Sequence, residues 1–175
     1  MKLLAFAASS SSASINKQLV AYAASLLPQF DLELLDINDF ELPLFSEDRE
    51  KELGQPELAK QFLTKMGAAD ALLISFAEHN MSYTAAWKNL YDWCSRIDAK
   101  VYQGKPLVLL STSPGGRGGA NVLEAALNSA PRFGADVKGS LSIPSFYENF
   151  DSERGELTNA ELQAKLVATV NTLLN

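Results

Sequence analysis

Three short stretches of this chain carry residue types that suit a bound small molecule: ASSSSASIN at 8–16, AEHN at 77–80 and SPGGRGG at 113–119. In the first, small side chains let the backbone approach a ligand closely, and serine hydroxyls add donors that suit phosphate oxygens. A helix starting near Ser14 would point its free amides and the positive end of its dipole into the same space. The plainer reading of the run is a turn with a helix N-cap.

In the second stretch Asn80 can both donate and accept hydrogen bonds, whereas Glu78 also reads as a solvated loop carboxylate, and His79 reads more readily as an exposed or capping residue than as a catalytic one. In the third, four glycines in five residues allow positive φ and close approach to a flat ligand. It is neither of the familiar glycine signatures. Read from Gly116, G-x-G-x-x-G fails at Asn121, and no G-x-x-x-x-G-K-[ST] occurs.

The elements that would position these stretches are apolar runs alternating with helix-period segments. LLAFA (3–7), LELLDI (32–37), ALLISFA (71–77), LVLLS (107–111) and VKGSLSI (137–143) have strand lengths. Ile15, Leu19, Val20, Ala23, Leu26 and Leu27 repeat at helical spacing, as do Leu58, Phe62 and Met66. Further helices are expected over 84–97, 120–133 and 159–174, the last with Thr158 and Glu161 at capping-box spacing. Trp87, Tyr91 and Trp93 read as core or subunit-contact residues, and Cys94 as a buried small hydrophobe. The stretches 39–56 and 144–159 read as long and irregular.

Five strands alternating with helices predict parallel pairing with right-handed crossovers, an α/β three-layer sandwich. Nearly continuous apolar runs suit strands covered on both faces, and the more alternating LELLDI suits an edge. A five-stranded parallel sheet of flavodoxin-like order 2-1-3-4-5 places it there. Ligands in such sheets bind beyond the carboxyl ends of the strands where the order reverses, and the three opening stretches follow strands one, three and four.

Composition narrows the partners. The chain has 175 residues, 15 basic against 21 acidic, a net charge of −6 and one cysteine. That charge and the lack of a basic stripe argue against general nucleic-acid binding. No run approaches the ~20 apolar residues of a membrane span. The apolar start is shorter than the roughly 7–15 residues of a signal-peptide core, so a single cytoplasmic domain over 1–175 is the expectation.

Together the three stretches resemble the NADPH-dependent FMN reductase family, flavodoxin-like enzymes that include quinone, chromate and azo-dye reductases. Ala8, Ser9, Ser11, Ser14 and Asn16 fall on the positions of the family's G-S-x-R-x-x-S-x-N. Its P-E-Y-N-x-S, L-K-N and D-W are met by Glu78, Asn80, Ser82, Lys88, Asn89, Asp92 and Trp93, and S-P-G-G-x-G-G matches from Ser113 to Gly119. A tail like F-D-x-x-G-x-L-T appears at Phe150, Asp151, Gly155, Leu157 and Thr158, offset by one residue.

The resemblance implies an FMN enzyme that takes a hydride from NADPH or NADH and passes electrons to a quinone or similar small acceptor, assembled as a homodimer or homotetramer. It implies that Ser9, Ser11, Ser14 and Asn16 hold the FMN phosphate, with Ile15 and Ala77 also in the cofactor-binding set. Glu78, His79 and Asn80 would line the ring and ribityl chain, and Ser113, Gly115 and Gly116 would flank the isoalloxazine. Three positions depart from the family: Ser11 stands for its arginine, Ala77 for its proline and His79 for its tyrosine. Weaker FMN retention follows from the first. A flavodoxin-type electron carrier without its own NAD(P)H turnover, and a flavin-free binding relative, are the alternatives.

Overall fold

In a computed structural model, residues 1–174 are described. Strands β1 (Lys2–Ala8), β2 (Asp31–Asp36), β3 (Ala71–Phe76), β4 (Pro106–Thr112) and β5 (Asp136–Ile143) form one parallel sheet in the order β2-β1-β3-β4-β5. This is the expected flavodoxin-like order. Every residue of β3 is buried, whereas the edge strand β2 leaves Leu32 and Leu34 exposed.

Helices cover both faces because alternate strand residues feed two separate cores. One face of the sheet packs on α1 (Ile15–Ser25) and α7 (Ala160–Asn171), with Leu3, Ala5, Leu19, Leu73, Leu166 and Val170 buried together. The other packs on α3 (Glu57–Ala68), α4 (Ala85–Ile97) and α5 (Ala120–Ser129). There Phe6 meets Phe62 and Trp87 at centroid distances of 5.6 and 5.5 Å. Trp87 and Trp93 are therefore core residues, while Tyr91 is half-buried. Cys94 is wholly buried, and burial pushes its thiol up to about 12, which leaves it unreactive.

Three local expectations are corrected. The stretch 39–56 is not irregular throughout: it contains α2 (Glu47–Leu53), which starts at Ser46, whose hydroxyl accepts from Arg49 N. The stretch 144–159 holds a short helix α6 (Phe146–Asn149) and a two-strand ribbon of β6 (Phe150–Asp151) and β7 (Glu156–Leu157). Finally, α7 is capped by Asn159, whose Oδ1 accepts from the amides of Glu161 and Leu162 at 3.1 Å each, and not by Thr158. Both residue types cap well, and the one nearer the first helical turn holds the position.

The part of the resemblance at 88–93 has a structural meaning. Asn89 accepts from Phe45 N at 2.8 Å and donates to Leu42 O at 2.9 Å, and Trp93 Nε1 donates to Pro43 O at 2.7 Å. These bonds pin the chain after β2 onto α4. Lys88 and Asp92 form an exposed pair one turn apart.

Candidate functional site

At the carboxyl edge of the sheet, the segments after β1, β3 and β4 close around a cavity of about 210 Å³. Ser9, Ser11, Ser14, Ile15, Asn16, Ala77, Glu78, His79 and Ser113 all line it, so nine residues dispersed over a hundred positions come together. Asn80, Gly115 and Gly116 do not line it. Asn80 is exposed in the turn between His79 and Ser82, and Gly115 and Gly116 are exposed in their loop. Ala13, Thr112, Pro114 and Tyr147 line it without having been singled out. Thr112 and Pro114 flank a predicted residue, but Tyr147 arrives from α6, which nothing local in the sequence links to the site.

The serine loop is built by its own hydroxyls. Ser14 caps α1, its Oγ accepting from Lys17 N, and the hydroxyl of Ser9 accepts from Ser11 N at 3.3 Å. With the Lys17 amide taken, the amides of Ile15 and Asn16 in the first helical turn have no acceptor among the described residues. They sit at the wall of the cavity, where a helix start favours an anion.

Asn16 supplies this amide and not its side chain. The side chain is buried, with Oδ1 accepting from Ser75 Oγ at 2.7 Å and Thr112 N at 3.1 Å, and Nδ2 donating to Thr112 O at 3.1 Å. It fastens α1 to the carboxyl ends of β3 and β4, at Ser75 and Thr112, both within the paired strands.

Among the described residues, no lysine or arginine lines the cavity. The nearest on α1, Lys17, is held by Asp36 at 2.6 Å, so the serine loop offers dipoles and hydroxyls without a countercharge.

The second wall is a tight turn. His79 and Ser82 exchange main-chain hydrogen bonds at 3.0 and 3.1 Å, and between them Asn80 and Met81 adopt φ of 51° and 66°. Two consecutive left-handed residues favour Asn-Gly, and a left-handed methionine is strained. Met81, two-thirds exposed, is expected to give a protein about 0.5–1 kcal/mol more stable when replaced by Gly, the relief of strain outweighing added chain entropy. Thermal melts of Met81→Gly would show it, and an unchanged or lower midpoint would contradict it.

Glu78, at the foot of this turn, is not a solvated loop carboxylate. Its Oε2 accepts from Val122 N at 2.9 Å and its Oε1 from Asn121 Nδ2 at 3.1 Å. His79 is exposed.

The third wall, SPGGRGG, is held from behind. Gly115 O accepts from Ser145 N, Ser113 O from Phe146 N, and Gly118 O from the hydroxyls of Ser111 and Ser142. The glycines that the geometry demands are Gly118 and Gly119, buried at φ of 58° and 76°.

A larger cavity of about 320 Å³ lies across the serine loop, lined by Ser10 with Ile37, Phe40, Leu42, Leu44 and Leu90 among others. Its walls are mainly aliphatic, and the unpaired amides of α1 belong to the smaller cavity. Polar recognition is therefore concentrated in the smaller one.

The chain is similar to known proteins in sequence and in fold. A 2-hydroxy-1,4-benzoquinone reductase of a Burkholderia species is 40% identical over 109 residues, 61% of this chain and 57% of that protein. An NAD(P)H-dependent FMN reductase of Pseudomonas aeruginosa is 36% identical over 116 residues, 66% of this chain and 61% of that protein. The matched parts thus span about three-fifths of these relatives' length. The structure of a flavoenzyme NAD(P)H:(acceptor) oxidoreductase from Paracoccus denitrificans superposes with a TM-score of 0.78 at 25% identity, covering 99% of this chain and 96% of that one. The model of the family described as NADPH-dependent FMN reductase matches residues 1–148. With its sheet order, its three loops and these matches, the chain belongs to the NADPH-dependent FMN reductase family.

Proposed function

We propose that the chain is a single flavin-binding unit that uses FMN and NADPH or NADH to reduce a quinone or a similar small acceptor. The observation that carries this reading is the pair of unpaired amides at Ile15 and Asn16, opening with serine hydroxyls into a cavity at the point where strand order reverses. These groups fit a phosphate, and the exposed, unencumbered faces of Gly115 and Gly116 leave room for a planar ring above the loop. FMN, when bound, supplies the hydride chemistry.

The chain's own part is orientation. Ser9, Ser11, Ser14 and the start of α1 hold the phosphate, the turn from Glu78 to Asn80 lines the ribityl chain and ring, and the loop from Ser113 flanks the ring with its amides. Those amides stabilise negative charge on the pyrimidine edge. No acid–base pair is needed. The same reading has copies of the chain assembling as a dimer or tetramer in the cytoplasm. Met81 in the turn after β3, Leu44 in the segment after β2 and Tyr147 on α6 are exposed apolar residues. Among the described residues no helix is long and apolar enough to cross a membrane.

The test is to purify the protein, record its visible absorption and titrate FMN into the colourless fraction, then follow NADPH oxidation with a quinone. No binding at micromolar FMN overturns the reading. Binding without turnover, in the absence of a partner reductase, favours the electron carrier instead. Because no lysine or arginine among the described residues lines the phosphate end, FMN is expected to leave on extended dialysis. Ser11→Arg, at an exposed position on the cavity wall, is expected to tighten FMN about tenfold through a charge-assisted bond. Stoichiometric retention by the wild type with no gain in the variant would contradict this.

A further inference from the structure

We infer that Glu78 is a positioning residue that joins the turn after β3 to the glycine loop after β4, so that the two loops form one rigid wall of the cavity. The inference rests on the flavin reading for its functional consequence, but the coupling itself stands on geometry.

Helix α5 begins without a cap of its own. Its N-cap is Gly119, which has no side chain, and its first turn contains no acidic residue. By contrast α1, α2, α4 and α7 each carry a side-chain cap from the adjoining residue. For α5 the missing acceptor comes from 44 positions upstream, as Glu78 Oε2 takes the Val122 amide. A carboxylate at a helix start is favoured by the dipole as well as by the hydrogen bond.

The other oxygen extends the link. Glu78 Oε1 accepts from Asn121 Nδ2, and Asn121 Oδ1 accepts from Arg117 Nη2 at 2.8 Å, back within the glycine loop. The polarity of this relay has one solution. A carboxylate only accepts and a guanidinium only donates, so the Asn121 amide can face only one way. Glutamine at 78 could take the Val122 amide with its oxygen, but its NH2 would then face the NH2 of Asn121. Turning Asn121 over would set that NH2 against Arg117. A change of one atom therefore breaks a bond wherever Asn121 turns.

Ala77, Glu78 and His79 line one side of the cavity, and Ser113 and Pro114 another. Loosening the relay lets these walls move independently. That weakens ligand binding and alters the ring's setting without touching the serine loop.

The experiment compares wild type, Glu78→Gln, Asn121→Ala and the remote cap variant Asn159→Ala, all well below their melting points. In the flavin-free proteins, Glu78→Gln is expected to speed amide exchange at 79–83 and 115–123 together. Asn121→Ala should do so mainly at 115–121, and Asn159→Ala only at the start of α7. On FMN titration Glu78→Gln is expected to bind about tenfold more weakly and to change the visible circular dichroism of bound FMN, while Asn159→Ala changes neither. Faster exchange confined to the first turn of α5, with unchanged affinity and dichroism, would make Glu78 a helix cap only and overturn the inference. Should the wild type bind no FMN, the proposed function falls, and the exchange pattern alone decides the coupling.

Discussion

Asn16→Ala is expected to lower stability by about 3 kcal/mol, one of the largest single-residue losses available outside the apolar core. The substitution strands a main-chain N–H and C=O of Thr112 and the hydroxyl of Ser75, all of which meet this side chain in a buried setting. Each buried orphan costs about 1–3 kcal/mol, and some water entry at the sheet end keeps the total at the low end of the summed range. At about 2–4 °C per kcal/mol for a chain of this size, the melting point should fall by roughly 6–12 °C.

Asn16→Asp is the sharper variant, because it retains shape and acceptors but sets a carboxylate oxygen against Thr112 O. It should be nearly as damaging. Urea and thermal unfolding measure both, and a loss under about 1 kcal/mol in either would show that the three bonds contribute little. FMN binding should weaken in parallel, since the same side chain sets the start of α1 against the strands that frame the cavity.

The second large effect concerns the glycine loop. Gly118 has φ of 58°, and a Cβ there would lie 2.7 Å from the carbonyl carbon and oxygen of Ile143 at the end of β5. Left-handed backbone costs a non-glycine residue about 1–2 kcal/mol, and a clash with main chain adds typically 1–3 kcal/mol. Gly118→Ala is therefore expected to destabilise by about 3 kcal/mol and to disturb the loop that Ser111 and Ser142 hold. Gly116→Ala is the control, because its Cβ would meet nothing within 4 Å. It should leave unfolding unchanged within about 0.5 kcal/mol yet weaken FMN, if the ring lies over that face. Equal stability losses in the two variants would refute the steric account.

These two cases show where the sequence was legible and where it was not. The match of SPGGRGG was plain, and so was the need for glycine, but the resemblance assigns flavin-facing roles to Gly115 and Gly116, whereas the backbone demand falls on Gly118 and Gly119. Which glycine must be glycine depends on how closely β5 passes, a distance between segments about 25 residues apart. Asn16 likewise stood out by type and place, and the resemblance put it at the phosphate. Its side chain instead bonds to residues 59 and 96 positions away. Glu78 could be read as solvated because its partners, Asn121 and Val122, lie on a helix that becomes its neighbour only through the crossing from β3 to β4.

By itself the sequence determined the sheet order, which three loops follow strands one, three and four at its carboxyl edge, and the buried state of Cys94, while Trp87 and Trp93 read as core or subunit-contact residues. These follow from local patterns: runs apolar on both faces, helical spacing, small residues and glycines after strands one and four. Only the tertiary structure decided which polar groups in those loops remain free. Tyr147 reached the cavity, Asn16 and Glu78 gave their side chains to the scaffold, and the amides of Ile15 and Asn16 were left without partners among the described residues. The physical reason is that a hydrogen-bonding group is spent or spare according to what lies within about 3 Å of it, and that neighbour is brought by chain crossings no local pattern encodes.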